Sequence, residues 1–314
     1  MLKVNTAILA FAAMLPVAAF SQTTMFFSSD GSGKPNGTKK NLQNPEPIIG
    51  QVFYDFTYLA DTTQPDKPTK ELMELDYSKT CSQFNSRTFV ESDSLLKVEM
   101  QKQLANQVDP SNIKLNMTGF SVKGSAENFI STPQGTVELK NHLRKTYLIK
   151  DEGKPIDWQV LDSTKTIGGY TCQKATGTSH GRNYTAWFTT DLPYNYGPRK
   201  LSGLPGLILE AYDDKRQVVY TFNHISTTGN GSEIGLPQDA IASTAKEFKQ
   251  MQDAFRANPQ AAMQGSMPAS ATPIGGAPGG GGMMQIKSVN ISSDGGSGSK
   301  KPVKVNNPIE LTAD

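Results

Sequence analysis

Three polar side chains that could do chemistry together alternate along one short segment: His180, Arg182 and Tyr184. Alternate residues of a β-strand point to the same face, so all three could line one pocket. An imidazole can transfer a proton near pH 7, and a guanidinium can bind an anion through paired hydrogen bonds. With a nearby acid such as Asp191, this group suggests a hydrolase site around His180 and Arg182. The simpler alternative, which we favour, is an edge strand with solvated polar residues.

The motifs of well-known enzyme classes do not occur in the sequence. It has no Gly-x-Ser-x-Gly, no His-Glu-x-x-His and no glycine loop that follows a strand and could hold a phosphate. The three histidines, at positions 142, 180 and 224, share no spacing typical of metal ligands. We therefore predict no catalytic residue, no cofactor and no metal site, and we favour a binding protein over an enzyme.

One metal hypothesis stays open because methionines recur in a Gly-rich stretch near the C-terminus. Thioethers are soft ligands that suit Cu(I), and the compartment predicted below is an exported one. The alternative function is therefore a Cu(I)-binding envelope protein that uses Met263, Met267, Met283 and Met284.

The N-terminal residues predict export. Met1–Ser21 combine a short basic start, an apolar run from Ala7 to Phe20 and small residues at Ala19 and Ser21. This pattern is typical of a secretory signal peptide. The run is too short to span a bilayer, so we expect no membrane span after signal removal. The expected location is the periplasm or the outer-membrane surface.

The charges of the chain are balanced, with 31 Lys and Arg residues against 29 Asp and Glu residues. Such a balance provides no basic surface of the kind that binds nucleic acid, so we predict no nucleic-acid partner. Arg199 and Lys200 form a small basic pair. They could belong to a solvated loop or contact an acidic partner.

Two cysteines, Cys81 and Cys172, lie in the predicted mature chain. In an oxidising compartment a pair of thiols is more often bonded than free, so we predict a disulfide between them. Closing this loop would stabilise the fold by about 4–5 kcal/mol if loop entropy dominates. The alternative is two buried free thiols.

Composition divides the chain into five parts. The signal peptide (1–21) precedes a flexible lead rich in Gly, Ser, Asn, Lys and Pro (22–47). A β-rich domain (48–257) follows, and then a low-complexity Gly- and Met-rich insertion (258–301) that we expect to be disordered. The terminal segment (302–314) contains a short apolar stretch that could return to the domain.

Apolar and polar residues alternate in a series of short segments that Gly, Pro and Asn interrupt. This spacing favours consecutive antiparallel strands over βαβ units, which need a long helix between strands. Apolar residues three and four apart predict helices over 94–108 and 239–256. The predicted fold class is α+β, mainly antiparallel β: a curved sheet or partly open barrel with one or two helices. The predicted strands are 51–59, 70–77, 111–120, 127–131, 135–139, 144–149, 156–161, 170–176, 183–189, 207–212 and 217–225.

The segment LSGLPGLILE, residues 201–210, combines turn formers with large aliphatic residues. Pro205 and Gly206 fit the two central positions of a type II turn, in which Gly206 would have a positive φ. Gly203 would allow a close approach of the backbone. Leu204 and Leu207 would then fold back against the sheet, so we interpret the motif as a structural turn.

A recognisable pattern runs through four segments of the domain: Ile167–Ala175, Gly181–Phe188, Tyr196–Pro198 and Gly203–Ile208. In this order they resemble the GLPGLI family of exported proteins from Gram-negative bacteria. The match is looser at Gly50–Leu59 and Asn306–Leu311. The resemblance implies an envelope protein and an association with outer-membrane receptors and transport, and it implies no catalytic residue.

The function predicted from the sequence is binding. We expect a secreted periplasmic or outer-membrane-associated protein without enzymatic activity. Its partner would be a hydrophobic small molecule or an outer-membrane receptor. Aromatic, basic and aliphatic side chains near the turn are the candidates for the contact, because such groups dominate binding surfaces. They are Arg182, Tyr184, Trp187, Leu204 and Leu207.

Overall fold

The computed structural model describes part of the chain. The described residues are 41–106, 112–143, 145–229, 231–258, 288–292 and 305–311. The predicted signal peptide, most of the flexible lead and nearly all of the Gly- and Met-rich insertion lie outside these residues, as do the four methionines of the copper hypothesis. Those expectations stay predictions.

The described chain is mostly β-structure with two helices, α1 (Arg87–Ala105) and α2 (Ala245–Ala257). The first strand forms within the segment that we predicted to be flexible, because Leu42–Pro47 pair with a later strand. The strands are β1 (Leu42–Pro47), β2 (Gly50–Tyr58), β3 (Thr69–Tyr77), β4 (Ser82–Ser86), β5 (Asn112–Asn116), β6 (Asn128–Thr132), β7 (Gly135–His142), β8 (Lys145–Lys150), β9 (Gln159–Ile167), β10 (Tyr170–Ser179), β11 (Arg182–Thr189), β12 (Leu207–Asp213), β13 (Val218–Ser226), β14 (Glu233–Pro237), β15 (Ile241–Ser243) and β16 (Ser288–Ser292).

Twelve of these strands form one sheet in the order β15-β8-β7-β6-β4-β3-β2-β13-β12-β11-β10-β9. All neighbours in it are antiparallel except β15 and β8. The sheet is open, with β15 and β9 at its edges, and β1–β14 and β5–β16 form two small separate ladders. The predicted α+β, mainly antiparallel class is confirmed, and of the two architectures we named the structure has the open sheet.

Both helices begin at a capping residue rather than where the apolar period begins. The Ser86 side chain accepts a hydrogen bond from the Phe89 amide, so α1 starts seven residues before the predicted position 94. Thr244 and Glu247 form a capping box that starts α2 at residue 245 instead of 239. Ile241, which we placed on the helix, belongs to β15.

The main core packs aromatic and aliphatic side chains between the sheet and the segment before β12. Tyr54, Phe84, Phe188 and Tyr220 are all at most 1% exposed. The Tyr54 hydroxyl donates to the Ile208 carbonyl over 2.6 Å, which satisfies its polar end. Burial on this scale, at roughly 25 cal/mol per Å² of apolar surface, is the main source of stability of such a fold.

The predicted disulfide is wrong, because Cys81 and Cys172 are both free in the structure. Cys172 is part of the main core, whereas Cys81 packs in a smaller cluster with Ile130 and Leu139. The two thiols are therefore held in different hydrophobic clusters and do not meet. Burial raises the pKa of both thiols, that of Cys172 to about 11, so neither is a ready nucleophile.

Candidate functional site

The segment between β11 and β12 folds back on the sheet, as predicted, but its two glycines exchange the expected roles. Gly206 does not have a positive φ, whereas Gly203 has φ +96°. A Cβ on Gly206 would lie 2.1 Å from the Thr189 carbonyl oxygen, and one on Gly203 would meet nothing nearer than Trp158 at 3.9 Å. The predicted type II turn with Gly206 at its third position is therefore wrong, because Gly206 is needed for close backbone approach.

Most of the predicted contact residues are in the interior. Tyr184, Leu204 and Leu207 belong to the main core and offer almost no surface to a partner. Trp187 is half-buried, with the Lys165 ammonium 4.4 Å from its ring, and its indole nitrogen has no hydrogen-bond partner. Arg182 is only 4% exposed, and its partners reveal a different kind of site.

The guanidinium of Arg182 binds the C-terminal segment 305–311 to the sheet. Its Nη1 donates to Asp213 Oδ2 over 2.7 Å, and its Nε donates to the Ile309 carbonyl over 2.8 Å. Its Nη2 donates to the Pro308 carbonyl over 2.6 Å and to the Asn307 side chain. Asp213 is itself held, because its Oδ1 accepts from two backbone amides of the β12–β13 hairpin. The segment is thus recognised mainly through its backbone carbonyls.

The end of β2 holds the same segment from the other side. The amides of Asn306 and Asn307 both donate to the Ala60 carbonyl over 3.1 Å. The Asn307 side chain donates to the Leu59 carbonyl over 2.6 Å, and the Tyr58 hydroxyl donates to the Asn307 carbonyl. Each polar group of this buried asparagine therefore has a partner, as burial requires.

Basic side chains hold the acidic residue of the segment. Lys200 lies 2.9 Å from Glu310 Oε1, and Arg199 donates to the same oxygen. Arg199 also forms an ion pair with Glu127 at 3.3 Å. Burial alone would raise the pKa of Glu310, but Arg199 and Lys200 outweigh it, and the pKa is lowered. The expected solvated loop is wrong, because both side chains are largely buried in ion pairs within the chain. A contact with an acidic partner stays a prediction.

His180 lies in the turn between β10 and β11, not on the strand face that we predicted. His180 and Gly181 both have positive φ values, +46° and +76°, as a two-residue type I′ hairpin requires. Its Nε2 is 3.0 Å from Asp151 Oδ1, and its Nδ1 is 2.9 Å from the Ser179 hydroxyl. The acid beside His180 is thus Asp151 and not Asp191. Burial alone would raise the pKa of Asp151, but His180 and Lys200 lower it well below its usual range.

The space beside His180 is small. The cavity measures about 10 Å³, and Ile309 and Glu310 of the C-terminal segment form part of its wall. A volume of roughly 10–15 Å³ holds one water molecule. The Ser179 and His180 side chains that line this cavity therefore face space for one water molecule and not for a substrate while the segment is bound.

We name the group that holds residues 305–311 the Arg182 site; its side chains are those of Tyr58, Arg182, Arg199, Lys200 and Asp213. Sequence analysis singled out Arg182 but missed the role of Asp213. Two signals connected the terminal segment with the domain: its short apolar stretch and the resemblance of Asn306–Leu311 to a family segment.

A second buried polar group lies on the opposite face of the sheet. Glu74 and Asp76 alternate with core residues along β3, and Gln51 donates to both carboxylates, over 2.8 Å in the case of Asp76. Burial and the neighbouring Glu74 raise the pKa of Asp76 from 3.8 to about 7. The folded state thus binds a proton at Asp76 more tightly than the unfolded state does.

We expect Asp76→Asn to stabilise the protein at pH 8. A raised pKa in the folded state gives stability that is fully present below about pH 4 and is lost as the pH rises through about 7. The amide keeps the hydrogen bond from Gln51 and carries no charge, so the gain at pH 8 should exceed about 1 kcal/mol. Urea denaturation between pH 4 and pH 8 measures it. Asp162→Asn, at an exposed position of β9, should leave the pH dependence of the free energy of unfolding unchanged. If this free energy changes with pH equally in both variants, Asp76 does not have the raised pKa.

Two further properties concern the described part of the chain. No helix there is both long enough and apolar enough to cross a membrane. Among the same residues, no group of three or more His, Cys, Asp or Glu side chains is placed to hold a metal ion.

Parts of this chain are similar to known proteins. The chain is 22% identical to human C2 domain-containing protein 3 over 194 residues, which are 62% of this chain and 8% of that protein. Solved structures of PNGF-II in two crystal forms, P21 and C2, overlay with TM-scores of 0.42 and 0.41 at 11% identity. They cover 65% and 64% of this chain, which spans about a third of their length. Residues 178–210, from the end of β10 into β12, match the family model described as a protein of unknown function, Porph_ging.

Proposed function

We propose that this chain is an exported envelope protein that binds an extended peptide segment of a protein partner at the Arg182 site. The observation that carries the proposal is the way in which that site already holds residues 305–311. Six backbone groups of the segment, three amides and three carbonyls, bond to the domain, and Glu310 meets two cations. Backbone groups are common to every peptide, so a partner needs only an extended segment with an acid in the right place.

Export and family remain part of the proposal. The signal-like residues 1–21 support export, and the resemblance of the segments around residues 167–208 supports membership of the GLPGLI family. The matched residues 178–210 include that motif as well as Arg182 and Arg199. A location in the periplasm or at the outer membrane would bring the Arg182 site to the segments of envelope receptors.

A partner is better supported than a hydrophobic molecule inside the sheet. Tyr184, Leu204 and Leu207, which were candidates for holding such a molecule, fill the core themselves. A hydrolase around His180 and Arg182 has less support, since Arg182 is committed to the segment and the cavity beside His180 measures only about 10 Å³. Cu(I) binding through the methionines predicts a loss of copper when residues 258–301 are deleted.

We expect a chain with Glu310→Lys to bind a separate peptide of residues 305–311. The added lysine faces Arg199 and Lys200, which weakens the attached segment and frees the Arg182 site. The unsubstituted chain should bind the same peptide at least tenfold more weakly, because a tethered segment competes at an effective concentration on the order of millimolar. Fluorescence anisotropy of the labelled peptide measures both affinities.

The matched control is the same peptide with lysine in place of Glu310. It carries the same backbone groups and should not bind either chain, because it repels Arg199 and Lys200. If the two peptides bind equally, the Arg182 site does not recognise the carboxylate of Glu310. If the Glu310→Lys chain is folded and binds neither peptide, the proposed function is wrong.

A further inference from the structure

Helix α2 touches the sheet at few points. Phe248 is its one buried residue among those the structure describes, and its ring packs against Tyr147 and His142 of the sheet. Phe255 makes a second ring contact with His142, at 5.3 Å. The rest of the helix is exposed or half-buried. α2 is therefore attached by two aromatic side chains and stands away from the sheet on one side.

A groove runs between that side of α2 and the strands β7 and β8. Its volume is about 400 Å³, within the range of small-molecule sites. The apolar part of its wall is Ile149, Ala245 and Phe248, and the polar part is Lys140, Lys249, Gln252, Asp253 and Arg256.

An unpartnered polar atom lies at the same interface. His142 is 4% exposed, and its Nε2 has no hydrogen-bond partner. Burial lowers the pKa of this imidazole, which packs against the Phe248 and Phe255 rings of α2. Buried polar atoms without a partner are rare in native proteins. The contact between α2 and the sheet is thus less complete than the rest of the fold.

Cations outnumber acids around the groove. Lys140, Lys249 and Arg256 line it, with Asp253 as the one acid of the wall, and Glu138 pairs with Lys140 at 3.2 Å. Asp253 pairs with Lys249 at 2.9 Å and with Arg256 at 3.7 Å, but all three side chains are at least half exposed. Exposed pairs of this kind are weak, so both cations can turn towards an anion in the groove.

We propose that this groove binds a small anionic amphiphile, with its alkyl part against Phe248 and Ile149 and its carboxylate against Lys249 and Arg256. The apolar wall excludes a purely ionic ligand, and the basic rim selects an acid over a neutral or cationic head group. No residue of the groove belongs to the Arg182 site, so this second site is independent of the proposed peptide binding.

Decanoate is the probe for the test, used with the full chain and below its micelle concentration. Isothermal titration calorimetry should show saturable binding of one decanoate per chain. Decyltrimethylammonium, with the same alkyl length and the opposite charge, should bind at least tenfold more weakly. Equal affinity for the two amphiphiles, or no saturable binding of decanoate, would overturn the proposal.

Three variants locate the site. Lys249→Gln removes a cation that is 75% exposed and should weaken decanoate binding at least threefold without affecting the fold. Ala245→Phe fills the groove and should abolish binding. Lys246→Gln is the matched control, because it removes a neighbouring exposed lysine that does not line the groove. If Lys246→Gln weakens binding as much as Lys249→Gln does, decanoate binds elsewhere.

Discussion

Replacing Arg182 by methionine is expected to lower the free energy of unfolding by about 3–5 kcal/mol, the usual cost of removing one partner of a buried ion pair. Methionine keeps much of the volume of the side chain but donates no hydrogen bond. Asp213 would then be a buried carboxylate without its cation, and the Pro308 and Ile309 carbonyls would lose their donor. Guanidinium denaturation measures the loss.

The same variant should release the C-terminal segment before the domain unfolds. The remaining contacts of residues 305–311 are those to β2 and the loop after it, to the Arg199–Lys200 pair, and to the His180 carbonyl, which accepts from the Leu311 amide over 2.9 Å. Hydrogen exchange at the Asn306, Asn307 and Leu311 amides should therefore accelerate under native conditions. Protected amides in a folded Arg182→Met chain would show that Arg182 does not hold the segment.

Two control variants separate the effect of the planar guanidinium, with its several donors, from the effect of its charge. Arg182→Lys keeps the charge but cannot bond to four acceptors at once, so it should recover only part of the loss. Arg216→Met removes an exposed arginine whose guanidinium carbon lies 4.0 Å from the Tyr212 ring. That substitution should cost less than about 1 kcal/mol.

The second large effect is expected at Gly206. Gly206→Ala would place a methyl group 2.1 Å from the Thr189 carbonyl oxygen. The backbone fixes the positions of both atoms, so no rotamer change can relieve the clash. The end of β11 would have to move away from the segment that leads into β12. We expect a loss of at least about 3 kcal/mol, the upper range for overpacking.

Gly203→Ala is the matched control in the same segment. Its positive φ strains any L-residue, but a Cβ there has free space. The expected loss is about 1–2 kcal/mol, the cost of a left-handed conformation. Thermal or chemical denaturation of the two variants side by side shows which one loses more stability. A greater loss at Gly203 would mean that conformation, and not close approach, is what the motif requires.

Local patterns in the sequence predicted the repeating elements well. The alternation of apolar residues in 51–59 and 183–189 corresponds to β2 and β11, and the aliphatic motif at 201–210 does pack against the sheet. The predicted starts of both helices were wrong, because we placed them where the apolar period begins. The capping residues Ser86 and Thr244, with Glu247, decide where the helices start, and these signals are present in the local sequence.

The candidate site was predicted only in part. Arg182 was selected because of its residue type, but its role depends on residues 307–309, which are more than a hundred positions away. Asp151 replaces Asp191 beside His180 for a similar reason, because the turn at His180 and Gly181 directs the imidazole towards another part of the chain. Spacing along a strand carries no information about such partners.

The sequence by itself determined the mainly antiparallel β-class, the positions of most strands and the structural nature of the glycine-proline motif. These follow from short-range periodicity and turn chemistry, which neighbouring residues fix. Only the tertiary structure decided that the two cysteines stay apart, that Gly206 rather than Gly203 is sterically required, and that Arg182 binds a distant segment of its own chain. Each of these depends on which buried surfaces meet when the sheet forms, and that is set by packing across the whole fold.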